Sequence, residues 1–122
     1  MKKNRLAENK NVRQRPEEGF RRWFLDHYFD LIVWYNNDMK ITGFQICYNK
    51  YGNQKAITWQ DGNVFSHRYV TTGVREKRSS ILNSDAGEIS PKLIKKFFEH
   101  AENIEKDLIE FIHDKILEKI KR

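Results

Sequence analysis

Residues 28–48 read YFDLIVWYNNDMKITGFQICY, two runs of β-branched and aromatic residues around the polar break Asn36-Asn37-Asp38. The first run puts Phe29, Leu31, Val33 and Tyr35 on one face and Asp30, Ile32 and Trp34 on the other, apolar on nearly both sides as in a central strand. The second alternates Thr42, Phe44, Ile46 and Tyr48 against Ile41, Gly43, Gln45 and Cys47. Asn and Asp tolerate positive φ and bond their own backbone, so the break reads as a turn and the stretch as a β-hairpin.

The reading extends outward from that hairpin. On its N-terminal side, Phe20-Arg21-Arg22-Trp23-Phe24-Leu25 is a short strand, with a helical turn as the alternative, and Asp26-His27 is a tight link. On its C-terminal side, residues 49–53 form a turn and residues 54–60 a strand carrying Ile57 and Trp59 on one face. Asp61-Gly62-Asn63 is a strong hairpin signal, followed by a strand over 64–70 with Phe65, His67 and Tyr69 sharing a face. Consecutive strands joined by short turns make an antiparallel meander.

Residues 71–89 lose the pattern and read as a long loop, in which Ile81-Leu82 is an apolar island able to add a brief edge strand. Ser90-Pro91 is a helix start, a capping hydroxyl before proline at the first helical position. An apolar stripe then runs through Leu93, Ile94, Phe97, Phe98 and Ala101 and on to Ile120. No Gly or Pro interrupts it, but one rod of about 45 Å suits a compact sheet poorly. Two helices are the favoured reading, with Asn103 as the second N-cap; a single helix would leave its outer half for dimerisation.

The predicted fold class is α+β: an antiparallel four- to five-stranded β-meander covered by one or two C-terminal helices. Phe44, Tyr48, Trp59, Phe65, Phe97 and Phe98 are the expected aromatic core. Residues 1–18 read as a flexible basic arm. Residues 19–122 form a single domain, with strands over about 20–70, a loop over 71–89 and helices over 90–121.

A chain of 122 residues, 39% hydrophobic and 33% charged, is long enough to fold around a core without disulfides or metal. Its longest apolar run, residues 31–35, is far too short to cross a membrane, and Lys2-Lys3 is followed by no apolar leader segment. The lone cysteine, Cys47, sits in a strand pattern, so a buried free thiol and a cytoplasmic location are expected. Charge is concentrated at the N-terminus: Lys2, Lys3, Arg5, Lys10, Arg13 and Arg15 against Glu8 alone carry +5 of the formal +6.

FRRWF, FDLIVWY, GFQICYNK, AITW and FSHRYV, within residues 20–70, resemble a family of small bacterial proteins of unassigned function. The resemblance covers less than half of the chain. It implies an uncharacterised α+β domain and carries over no active site.

Candidate sites follow from residue type. The basic arm, with Lys2, Lys3, Arg5, Lys10, Arg13 and Arg15, has the charge to bind nucleic acid or an acidic partner, but no aromatic residue between 1 and 15 supplies stacking; a solubilising tail is the plainer reading. Arg75, Lys77 and Arg78 beside Ser79-Ser80 are a candidate anion site, without the glycine pattern of a phosphate cradle. His67 and Cys47 are the weak catalytic candidates, each more simply a core residue. Gly43, Gln45 and Cys47 suggest a small space against Tyr35 and Val33. The histidines have no metal-ligand spacing, and no cofactor is expected. Ile109, Ile116 and Ile120 are a candidate exposed row for a homodimer through the C-terminal helices.

The leading functional reading is a non-catalytic binding or interaction module, acting through an oligomer interface or an exposed sheet face, with the basic arm attracting an acidic partner. A small enzyme using His67 and Cys47 is second, and nucleic-acid binding through the arm is third.

Overall fold

The computed structural model describes residues 5–14, 17, 19–71 and 81–120. It is an antiparallel sheet followed by two helices, an α+β arrangement. The strands are β1 (Ala7–Glu8), β2 (Phe20–Leu25), β3 (Asp30–Tyr35), β4 (Ile41–Tyr48), β5 (Lys55–Gln60), β6 (Val64–Thr71) and β7 (Ile81–Asp85), paired strictly in chain order. The helices are α1 (Pro91–His100) and α2 (Lys106–Ile120). Six strands of five residues or more, with the two-residue β1 at the edge, replace the expected four or five. The island at Ile81-Leu82 grew into β7 because β6 continues to Thr71 and offers it a partner.

Period-two alternation sends one set of side chains to the helices. Phe24, Leu31, Ile46, Ile57 and His67 form one cross-strand row, and Arg22, Val33, Phe44, Trp59 and Phe65 the next. Phe97, Ala101, Ile104, Leu108, Ile112 and Ile116 cover them as one cluster. Phe29 meets Phe97 edge-on at 5.4 Å and Trp59 meets Phe111 at 5.3 Å, locking both helices to the same face. Phe65 and Phe98 are only partly buried at the margin of the expected core.

Three local readings are corrected. Ile41 packs towards the core because a bulge between Trp34 and Tyr35 shifts the register, pairing Ile41 with Tyr35. In the central turn the positive φ falls on Met39, at 61°, while the Asn36 side chain accepts from the amides of Asp38 and Lys40. Asn103 does not cap α2; its amide donates to the Leu6 carbonyl. The break between the helices still comes there, because Ala101 and Ile104 both turn inward and Ile104 N–H bonds the Ala101 carbonyl.

The N-terminal segment differs most from expectation. Leu6 is 1% exposed in the central cluster, Ala7 and Glu8 pair with Leu25 and Phe24, and Asn9 N–H donates to the Trp23 carbonyl. Gln14 uses its side-chain amide as a substitute peptide, accepting from Arg21 N–H at 2.9 Å and donating to the Arg21 carbonyl at 2.8 Å. Residues 5–14 are therefore a strap that occupies the outer edge of β2, a position where an open strand invites foreign pairing. Over residues 5–14 the segment is seated on the sheet, with Leu6 in the core, while residues 1–4, 15, 16 and 18 of the expected arm lie outside the described residues.

Candidate functional site

The strands leave a second sheet face on which, among the described residues, no helix packs. Register assigns it three cross-strand rows: Leu25, Asp30, Cys47, Ala56 and Arg68; Trp23, Ile32, Gln45, Thr58 and Ser66; Arg21, Trp34, Gly43, Gln60 and Val64. Its centre is small and closely packed, with Gly43, Cys47, Ala56 and Thr58 all buried. Trp23, Ile32 and Trp34 rise beside this floor, each partly exposed. A β carbon on Gly43 would lie 3.0 Å from the Trp59 carbonyl oxygen, tighter than ordinary contact, and 3.7 Å from Trp34 Cε3, so the β5 backbone is what crowds this position while the Trp34 indole lies beside it. Asp30 is bound by the Lys50 ammonium at 2.9 Å.

The strap borders this face. Arg21 turns its guanidinium back to the Arg13 carbonyl at 2.9 Å, so the start of β2 and the strap share a basic corner beside Trp34. No family model matches the chain, and no curated protein or solved structure matches it either.

The other basic candidates are dispersed. Arg5 pairs with Glu102 of the helix connection, and Lys10 is exposed. Lys2, Lys3, Arg15, Arg75, Lys77 and Arg78 lie outside the described residues.

His67 and Cys47 are not brought together. In neighbouring rows of an alternating sheet, His67 faces the helices and Cys47 faces away. His67 donates from Nδ1 to the Gly87 carbonyl at 2.8 Å, which fixes the tautomer and leaves Nε2 to accept from the Tyr48 hydroxyl at 2.5 Å. Both ring nitrogens are used, and burial pushes the Tyr48 phenol up to about 12, so its proton stays in that bond. His67 does border a cavity of about 620 Å³, with Phe65, Ser66, Glu88 and Lys119 in its wall. The Cys47 thiol donates to Gln45 Oε1, and burial pushes it up to about 12, with the Asp30 charge adding to the effect. Cys47 is accordingly expected to react slowly with a thiol reagent in the native protein and fully in denaturant. Rapid native labelling would show an exposed thiolate instead.

The space inferred at Gly43 does not exist where the sequence suggested. Tyr35 and Val33 lie on the helix face, and the neighbours of Gly43 and Gln45 are Trp34 and Ile32, the former filling the gap. The Ile109, Ile116, Ile120 row is likewise broken up. Ile116 is 1% exposed in the core, Ile109 packs against it, and only Ile120, with Leu117, remains at the surface.

A cleft of about 840 Å³ opens between the tips of the β3–β4 and β5–β6 hairpins and the start of α2. Its apolar floor is nearly closed, since Trp59 is 3% exposed, and the Arg22 guanidinium in its wall is paired with Glu105. Arg22 is clamped bidentately by Glu8 and also bonds Glu105, holding both carboxyls below their ordinary range. Lys115 sits over the Trp59 and Phe111 rings. The cleft reads as a seam tying strap, sheet and α2 together.

Sequence reasoning missed one buried pair. Asp26 Oδ2 accepts from His100 Nδ1 at 2.7 Å, while its Oδ1 accepts from the amides of Tyr28 and Phe29. The pair lies 74 residues apart in sequence, and only the fold brings it together. Among the described residues, no group of three or more His, Cys, Asp or Glu side chains could hold a metal, and no helix is long and apolar enough to cross a membrane.

Proposed function

We propose that this is a cytoplasmic, non-catalytic binding module whose helix-free sheet face holds an acidic partner. The observation that carries this is the Trp34 indole lying beside Gly43, with Trp23 and Ile32 next to it, all three side chains partly exposed, while both helices pack on the opposite face. Partly exposed tryptophans on a rigid sheet supply large contact area at low ordering cost, as binding surfaces require. The basic corner shared by β2 and the strap, and a net charge of +6, favour an anion. The buried thiol of Cys47 agrees with a reducing compartment.

The test is a panel of polyanions, polyglutamate, heparin and single-stranded oligonucleotides, titrated against the full chain with tryptophan fluorescence as the readout. At least one is expected to bind in a salt-sensitive way, with affinity lost in Trp34→Ala and kept in Lys115→Ala. Binding indifferent to Trp34→Ala but abolished by Lys115→Ala would move the function to the cleft beside α2.

A further inference from the structure

We infer that Asp61-Gly62, at the tip of the β5–β6 hairpin, is a site of spontaneous aspartate isomerisation, a covalent change of the backbone that needs no enzyme. Of the six glycines in the chain, only Gly62 follows an aspartate or an asparagine. The reaction begins when the backbone nitrogen of the following residue attacks the aspartate Cγ. That step needs an unhindered nitrogen, a carboxyl group free to turn towards it and a backbone able to close a small ring. Glycine at a loop tip meets those conditions best, because it has no β carbon and few conformational limits.

The hairpin tip supplies each of them. Asp61, Gly62 and Asn63 are all exposed, between the paired ends Gln60 and Val64. A β carbon built on Gly62 would meet nothing within 4 Å, so open space lies beside it. Among the described residues, neither the Asp61 carboxylate nor the Gly62 N–H has a hydrogen bond or ion pair; Asp61 is tied through its own N–H, which donates to the Thr42 carbonyl at 2.9 Å. Asp26 and Asp30 show the contrast. Two amides and His100 hold the first carboxylate and Lys50 holds the second, so neither is free to turn.

Attack on Cγ forms the second carbonyl–nitrogen bond of a succinimide; the amide proton and the carboxyl hydroxyl leave together as water. Water then reopens the ring. Cleavage of the new bond restores aspartate, whereas cleavage of the old peptide bond leaves the chain running through Cγ, with the Asp61 α-carboxylate free. The mass is unchanged and nothing is oxidised or reduced. The product has one more backbone carbon between two anchors of the turn, the Asp61 N–H on Thr42 and the Asn63 side chain that accepts from Trp59 Nε1 at 3.3 Å. It also moves a carboxylate in the wall of the cleft beside α2.

The experiment incubates the full chain for several weeks in warm neutral buffer, native and in urea. Isoaspartate is followed by peptide mapping and by labelled methyl transfer with an isoaspartyl-specific methyltransferase. It is expected to accumulate at position 61 of the native chain, through a transient species lighter by one water. Asp61→Glu, which would have to close a larger ring, is expected to lose the signal. Gly62→Asn is expected to slow it several-fold, since asparagine accepts a positive φ, here 88°, but its side chain crowds the nitrogen. Circular dichroism checks each fold, and if Gly62→Asn does not fold, Asp61→Glu and the parent chain carry the test. An unmodified position 61 in the native chain while the unfolded chain reacts would overturn the inference, because the hairpin would then protect the pair. Isoaspartate confined to other positions, or an undiminished yield at position 61 in folded Gly62→Asn, would overturn it too.

Discussion

Asp26→Ala is expected to destabilise the fold by about 3–5 kcal/mol, the cost of leaving three buried donors without their acceptor. The carboxylate closes the β2–β3 turn by taking the Tyr28 and Phe29 amides at 2.7 Å each, and it anchors the C-terminal end of α1 through His100. Alanine leaves two amides and an imidazole N–H without acceptors in a site where the two side chains are 5% and 10% exposed. Asp26→Asn is expected to cost less, because its one oxygen still serves the turn amides while the Nδ2 donor faces the donor on His100. Urea unfolding of the two variants and of His100→Ala gives the double-mutant cycle. A loss below about 1 kcal/mol for Asp26→Ala would mean that water replaces the carboxylate and that the pair is no anchor.

Phe97→Ala is the second large effect, about 3–5 kcal/mol, since the ring is fully buried and its removal leaves a cavity between the layers. Phe97 meets edge-on Phe29, at the end of the β2–β3 turn, and Phe98 of its own helix, so it is where α1 grips the sheet. Phe98 is only partly buried, and Phe98→Ala is expected to cost at least about 1 kcal/mol less. Against a typical domain stability of about 5–15 kcal/mol the Phe97 variant should show a clearly lower denaturation midpoint with an unchanged slope. Equal losses at 97 and 98 would place the helix in a different rotation about its axis.

The sheet and helices were legible because their signals are local. Alternation in residues 29–35 and 42–48 gave both faces of the central strands, and Ser90-Pro91 marked the start of α1, where the Ser90 hydroxyl accepts from Leu93 N–H. What stayed hidden depends on partners far along the chain. Leu6 looked incidental in a polar stretch, although its N–H and carbonyl reach His100 and Asn103. Gln14 has no sequence signature as a strand mimic. The open face was legible as an alternation in β3 and β4 but not as a site, since only register puts Trp34 on Gly43 and Arg21 beside Trp34. The same register separates His67 from Cys47, which sequence order alone leaves as neighbours in doubt.

The strap has a consequence for how the protein comes into being. Its seat is built from the connection between the two helices, far along the chain: Leu6 bonds His100 and Asn103, Arg5 pairs with Glu102, and Glu8 meets Glu105 across Arg22. During synthesis, which proceeds from the N-terminus at about 5–20 residues per second, the strands β2–β6 emerge while that seat is still missing. For those seconds β2 has an unguarded edge, and the segment meant to guard it waits untethered. The strap is thus made before the strand whose edge it covers and docks after it, a latch that shuts only once the helix connection has arrived.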